Sequence, residues 1–340
     1  MLGIIFVKNE SIKRKHHFVS QFYLKAWSLD SEKIYASKKE MTSSPFLVRT
    51  CEIALANYFY KVHPLSEESL KYLYNFVKNT HSADLPIYKL IISTINEIQE
   101  KLSKAKAHFH ALDQEIPFEL ENDEKIFKTN ILENYYGHLE SKFSVLIKKI
   151  IEGKAAHLTV NDYDILLFFV TSQFIRTQKK LQSSQQTLIK QLPKLPQEEL
   201  NTLILYLGLI MDQKIHSALT NSLYLITIVK NKTQKNLITS DNPVINIKFK
   251  ETNNKELEYI VPISPKFYLH IKQNMYSEEI NKSLIESFKA DSKQLAFNKT
   301  IILESTENIS QIEWINKLIF KESQRFLYGL DKLDLIYKNE

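Results

Sequence analysis

Glycine occurs at only five positions, Gly3, Gly137, Gly153, Gly208 and Gly329, and no two of them lie close together. A loop that closes its backbone amides around a phosphate needs clustered glycines, because only a residue without Cβ permits that approach. Neither a Walker loop nor a G-x-G-x-x-G turn can be written anywhere in the chain. P-loop NTPases, Rossmann dehydrogenases and kinases with a glycine-rich loop are therefore excluded, and no nucleotide cofactor of those types is expected. Hydrophobic residues make up 44% of the 340 positions, ample for a sizeable core.

Lysine and arginine total 45 against 39 acidic residues, a net charge of +6 that admits a polyanionic partner without requiring one. Cys51 is the only cysteine, so no internal disulfide and no cysteine-based zinc site can form. Beside Ile53 and Leu55 it reads as a small buried hydrophobe rather than a nucleophile. The stretch from Leu2 to Val7 is too short for a secretory signal. The longest apolar runs, Ile165 to Val170 and Leu203 to Met211, fall short of the ~20 residues a membrane span needs. A cytoplasmic, reduced protein with no membrane partner is expected.

Hydrophobic spacing organises the chain into a helical middle, residues 64–222, and a β-rich part, residues 223–305, with a closing helix. Short strands are expected at Lys33 to Ser37 and Phe46 to Arg49. Helices are expected from Glu67 to about Asn79, from Pro86 through Ile98, and from Glu124 to Ile151. The last of these carries Ile131, Tyr135, Leu139, Phe143, Leu146 and Ile150 on one stripe. Thr159 and Asp162 form a capping-box start to a helix reaching Lys190, and a further helix ends near Asn221. Strands follow at Leu223 to Val229, Leu237 to Ile247, Tyr259 to Ile263, Phe267 to Ile271 and Thr300 to Leu303. Hairpin connections fall at Asn231 to Asn236 and Glu251 to Glu256, and closing helices at Glu278 to Ala296 and Ile309 to Phe326. The expected fold is one α+β domain over residues 1–340. It is predominantly helical, with a small, mostly antiparallel sheet built largely from the C-terminal third. The oligomeric state stays open.

Four constellations could carry chemistry. His16 and His17 are adjacent, so in a strand they face opposite ways, and either could be a general acid/base, a metal ligand or a hydrogen-bonded turn residue. Glu133 and Glu140 stand two helical turns apart and share a face, as a divalent-cation site or a solvated surface would. Gln173 and Arg176 are neighbours on a helix of otherwise apolar character, next to Thr177. A guanidinium there requires a partner, either a substrate phosphate or carboxylate, or Asp241 or a glutamate of the protein. In Thr239-Ser240-Asp241-Asn242-Pro243-Val244 an apolar strand runs into polar residues, which present functional groups or fix a turn. No H-E-x-x-H, G-x-S-x-G or EF-hand loop is present. Glu140-Ser141-Lys142 has the shape of a nuclease half-motif but lies in a helical pattern.

These segments, in this order, resemble DUF4238, a family of bacterial proteins of unknown function. The resemblance rests on His16-His17-Phe18-Val19-Ser20-Gln21-Phe22-Tyr23-Leu24, the helix from Glu133 to Glu140, and Gln173-x-x-Arg176-Thr177. It also rests on Thr239 to Val244 and Pro262-Ile263-Ser264-Pro265. Ser20 stands where the family usually has proline, and Ile263 where it has leucine. The resemblance implies that His16, His17, Gln173, Arg176, Asp241 and Asn242 belong to a family pattern whose segments meet. Such a set suits hydrolysis or transfer at a phosphate. Arg176, with Gln173 and Asn242, would hold substrate, and Asp241, Glu133 and Glu140 would hold Mg²⁺ or Mn²⁺. His16 or His17 would move the proton. The expected function is phosphodiester cleavage, nuclease-like and used in defence or as a toxin, with nucleic acid or another phosphate-bearing molecule as substrate. The alternative is a non-catalytic binding or interaction module in which the same residues form a structural network.

Overall fold

A computed structural model describes residues 10–30, 32–40, 44–78, 91–221, 224–248, 257–273 and 300–336. In chain order its elements are β1 (Lys15–His17), α1 (Gln21–Leu24), β2 (Lys33–Lys38), β3 (Phe46–Arg49), β4 (Leu55–Asn57), α2 (Glu67–Lys78), α3 (Ser93–Ala111) and α4 (Phe118–Ile151). There follow α5 (Val160–Ile175), α6 (Gln178–Gln191), α7 (Gln197–Asn221), β5 (Tyr224–Asn231), β6 (Thr239–Ser240) and β7 (Ile245–Asn246). The chain closes with β8 (Tyr259–Ser264), β9 (Phe267–Gln273), β10 (Thr300–Thr306), α8 (Ile309–Glu322) and β11 (Phe326–Gly329). The protein is α+β, and no helix among the described residues is long and apolar enough to cross a membrane.

The chain forms two compact units that interleave in sequence. The first comprises Met1–Phe18, Leu55–Glu140 and Gln178–Lys214, and the second Val19–Ala54, Ser141–Thr177 and Ile215–Glu340. The first unit is helical, with the small antiparallel pair β1–β4, in which His16 faces Ala56. Its core joins Tyr60, Leu73, Ile95, Ile131, Leu203 and Tyr206 from α2, α3, α4, α7 and the segment after β4. Of the predicted α4 stripe, Ile131, Phe143, Leu146 and Ile150 are buried, while Tyr135 and Leu139 are partly so. That is the outcome expected for an amphipathic helix with one apolar face.

The second unit holds two sheets. One runs β10-β5-β9-β8-β7, antiparallel except for the parallel pair β10–β5, with Ile302 opposite Thr227. The other runs β3-β2-β11-β6 and is antiparallel throughout. The sheet material is thus not confined to the C-terminal third, because Lys33–Lys38 and Phe46–Arg49 supply half the strands of the second sheet. Ile312, Ile315 and Ile319 of α8 pack with Ile238, Ile260 and Leu327. Helix α5 buries Tyr163, Leu166, Leu167, Phe169, Val170 and Phe174, the all-round burial of a core helix. Its N-terminus carries the predicted capping box, Thr159 accepting from the Asp162 N–H while Asp162 accepts from that of Thr159. Cys51 lies partly exposed in a 3₁₀ turn, Thr50–Glu52.

Three sequence expectations differ from the structure, each for a tertiary reason. The helix expected to run to Lys190 breaks at Arg176, and α6 starts afresh at Gln178. The strand expected over Leu237 to Ile247 is split into β6 and β7 by Asp241, Asn242 and Pro243, so β5 and β6 lie in different sheets rather than in one hairpin. The last helix stops at Glu322 instead of Phe326, and the chain becomes β11. The start expected at Pro86, the connection at 251–256 and the helix at 278–296 lie outside the described residues.

Candidate functional site

In the second unit, three motif segments are joined by hydrogen bonds in the interior. Ser20, Gln173 and Arg176 are all essentially buried. The side-chain carbonyl of Gln173 accepts from Arg176 Nη2 at 3.0 Å, from the Ser20 hydroxyl at 3.3 Å and from the Ser20 N–H at 3.4 Å. Arg176 Nη2 also donates to Ser20 Oγ. Ser20 holds φ −54° and ψ 131°, the backbone that proline would impose, so its serine keeps that geometry and adds two donors. One residue beyond Arg176, Thr177 donates to Asn242 Oδ1 at 3.0 Å, and Asn242 Nδ2 donates to the Glu322 carbonyl at 3.0 Å. Glu322 is the last residue of α8, so the side chain of Asn242 ties three elements.

Asp241 does something different. It is 5% exposed, and both carboxylate oxygens accept from main chain. Oδ1 takes the Gln324 N–H at 2.8 Å, and Oδ2 takes those of Arg325 at 2.7 Å and Phe326 at 3.0 Å. Three of about four acceptor positions of the carboxylate are thereby used. Burial raises this carboxyl above the ordinary range, and the three N–H groups with Lys39 pull it back towards the charged form. This clip ends α8 and turns the chain into β11, which pairs with β6 beside it.

The remaining motif residues extend the same pattern. Tyr23, fully buried, donates to the Pro262 carbonyl at 2.6 Å and shares a 2.7 Å bond with the Thr239 hydroxyl. Trp27, also fully buried, donates to the Leu237 carbonyl at 3.1 Å. Pro262 cannot donate to a ladder, and β8 bulges between Pro262 and Ser264. The Pro265 carbonyl then accepts from the Leu237 N–H at 3.0 Å and from Asn231 Nδ2 at 3.2 Å. Tyr23→Phe is expected to cost about 1–2 kcal/mol in urea unfolding, because one buried hydroxyl with two partners is removed. An unchanged unfolding midpoint would show the bridge to be idle.

In the first unit, His16 is fully buried. Its Nδ1 accepts from the Tyr60 N–H at 2.9 Å, so the proton sits on Nε2 and points to the Lys13 carbonyl at 2.8 Å. The ring stacks on Tyr60 with centroids 5.8 Å apart. Burial, with the charges of Lys13 and His17, keeps His16 below its ordinary pKa of 6.5. Below that value the unfolded chain takes up a proton that the fold refuses, so stability present near neutral pH falls as pH drops through 6.5. His16→Asn keeps an acceptor and does not titrate. It is expected to lose less stability than the natural chain between about pH 7.5 and about pH 5.5, measured by urea unfolding at each pH. An identical slope would exclude His16 as its source.

His17, partly exposed, lies on the opposite side of β1, and its carbonyl accepts from the Tyr60 hydroxyl at 3.3 Å. Glu133 and Glu140 are half-buried on α4 in the same unit. Among the described residues, no group of three or more His, Cys, Asp or Glu side chains is arranged to hold a metal ion. Sequence reasoning found Gln173, Arg176, Thr177, Asp241 and Asn242, and the resemblance included Ser20 and Tyr23, but it assigned Ser20 and Tyr23 no partners. For Thr177 the signal was its place beside Arg176. The partners of Ser20 and Tyr23 leave no local signal, because they lie more than 150 residues away.

This architecture defines a class: an α+β protein whose short polar motifs are internal ties between distant segments. The sequence profile of DUF4238, described as a protein of unknown function, matches residues 15–332, and the chain belongs to that family. No curated protein and no solved structure matches the chain.

Proposed function

We propose that this protein acts by binding rather than by cleavage, as a module in which Arg176, Gln173, Asp241 and Asn242 hold the fold together. One observation carries the reading: both oxygens of Asp241 accept from consecutive main-chain N–H groups at 2.7–3.0 Å in the interior. A carboxylate used in this way ends a helix and has little acceptor capacity left for a cation. His16 supports the same reading, since both of its ring nitrogens have main-chain partners and its neutral form is the one favoured.

A second reading, metal-dependent phosphodiester cleavage, is favoured by Arg176, a permanent cation that is only 3% exposed. There His16 or His17 would move the proton, Glu133, Glu140 and Asp241 would hold Mg²⁺ or Mn²⁺, and Gln173, Arg176 and Asn242 would bind the phosphate. Incubating the full chain with single- and double-stranded DNA and RNA and either cation separates the two. The binding reading expects no metal-dependent cleavage. Cleavage that Asp241→Asn abolishes at an unchanged unfolding midpoint would overturn it.

A further inference from the structure

The first unit contains a cleft of about 440 Å³ that none of the motif residues lines. Its volume falls in the range of small-molecule sites. Its apolar lining comes from Leu181, Ile204 and Leu205, and its polar lining is rich in carboxamides, among them Asn57, Gln178 and Asn201. Tyr58 lies at this cleft with its side chain substantially exposed and its backbone at φ 55°. That left-handed conformation is costly for a bulky aromatic residue and is found preferentially where function requires it.

Lys61 and His63 line this cleft and also a second chamber of about 200 Å³, which Lys125, Lys128, Glu121 and Glu124 complete. Lys128 is paired with Glu124 at 2.5 Å, and Glu124 is paired with Lys106 as well. Lys61 and Lys125 have no ion-pair partner among the described residues. His63 is held by its N–H to the Thr202 hydroxyl at 2.8 Å and by Glu198 at 3.2 Å. Burial lowers the pKa of His63, and the positive charges of Lys61 and Lys128 lower it further. A compartment with amide donors and acceptors therefore adjoins one in which three lysines face two glutamates, leaving one positive charge in excess.

We infer that these two compartments, which share Lys61 and His63, bind a nucleoside monophosphate unit, its base between Tyr58 and the carboxamides and its phosphate at Lys61 and Lys125. Carboxamides match the mixed donor and acceptor edges of a base, the exposed ring offers a stacking face, and lysines supply point charges for phosphate. The inference rests on the binding reading and names its ligand class. The unit could arrive as a free nucleotide or within a single strand.

Calorimetric titration of the full chain with AMP, UMP, inorganic phosphate and an oligoadenylate tests it. The natural chain is expected to bind the nucleotides saturably. Tyr58→Gly, which suits the left-handed backbone and so preserves the fold, is expected to weaken nucleotide binding roughly tenfold or more. Binding of inorganic phosphate should survive that change. Lys61→Gln is expected to weaken nucleotide and phosphate alike, and the His63 titration seen by NMR should move upward when phosphate is bound. An oligoadenylate held at least about tenfold more tightly than AMP, with strong salt dependence, would mark a single strand as the source. Comparable affinities would mark the free nucleotide. No saturable binding up to about 1 mM, or natural affinity in both variants, would overturn the assignment. Failure to bind would leave the scaffold role of Asp241 intact, whereas appearance of cleavage products in the titrated sample would overturn that role instead.

Discussion

Asp241→Ala should lower the stability of the folded protein by about 3–5 kcal/mol, because three main-chain donors lose one shared acceptor in the interior. The loss is larger than for a typical polar substitution, since the Gln324, Arg325 and Phe326 N–H groups all donate to this one buried carboxylate. Asp241→Asn keeps one carbonyl oxygen and should cost about 1–2 kcal/mol, because part of the clip survives. Urea unfolding of the three proteins measures both differences. Midpoints within experimental error of the natural chain would mean that the turn from α8 into β11 does not depend on Asp241.

Arg176→Ala should cost about 3–5 kcal/mol for a related reason. Its guanidinium is a buried cation donating to Gln173 and Ser20, and truncation leaves the Gln173 carbonyl and the Ser20 hydroxyl in an emptied interior. Arg176→Lys keeps the charge but replaces a planar fork by a single ammonium, and should recover only part of the loss. A catalytic arginine would behave in the opposite way, losing activity in both variants while the unfolding midpoint stayed near that of the natural chain. The pair of substitutions therefore separates a positioning role in the fold from a role in chemistry.

Much of the element content was legible in the sequence because local signals were strong. The Thr159–Asp162 capping box, the apolar stripe of α4 and the β-branched and aromatic residues of β2, β8 and β9 each reflect a preference that packing reinforces. The breaks were not legible. Neither glycine nor proline marks the end of α5 at Arg176, and the helical pattern continues through it, so the interruption is imposed by what Arg176 and Thr177 bind. The same holds for β11, whose residues read as the tail of a helix until Asp241, 83 positions earlier, takes the Gln324 N–H. The polar residues of the motifs were visible as a set because they interrupt apolar stretches. Their roles were not, since hydrogen-bond partners at separations of 65 to 239 residues leave no local trace. The cleft at Tyr58 was invisible for another reason: carboxamides at Asn57, Gln178 and Asn201 look like ordinary surface polarity until β4, α6 and α7 bring them together.

The most direct measurement of the scaffold role is a crystal structure of the full chain grown with Mn²⁺ and read at its anomalous peaks. The account predicts no Mn²⁺ at Asp241, with its carboxylate still accepting from Gln324, Arg325 and Phe326. An anomalous peak liganded by Asp241 or by Glu133 and Glu140, with Arg176 turned towards it, would contradict the account and favour phosphodiester cleavage.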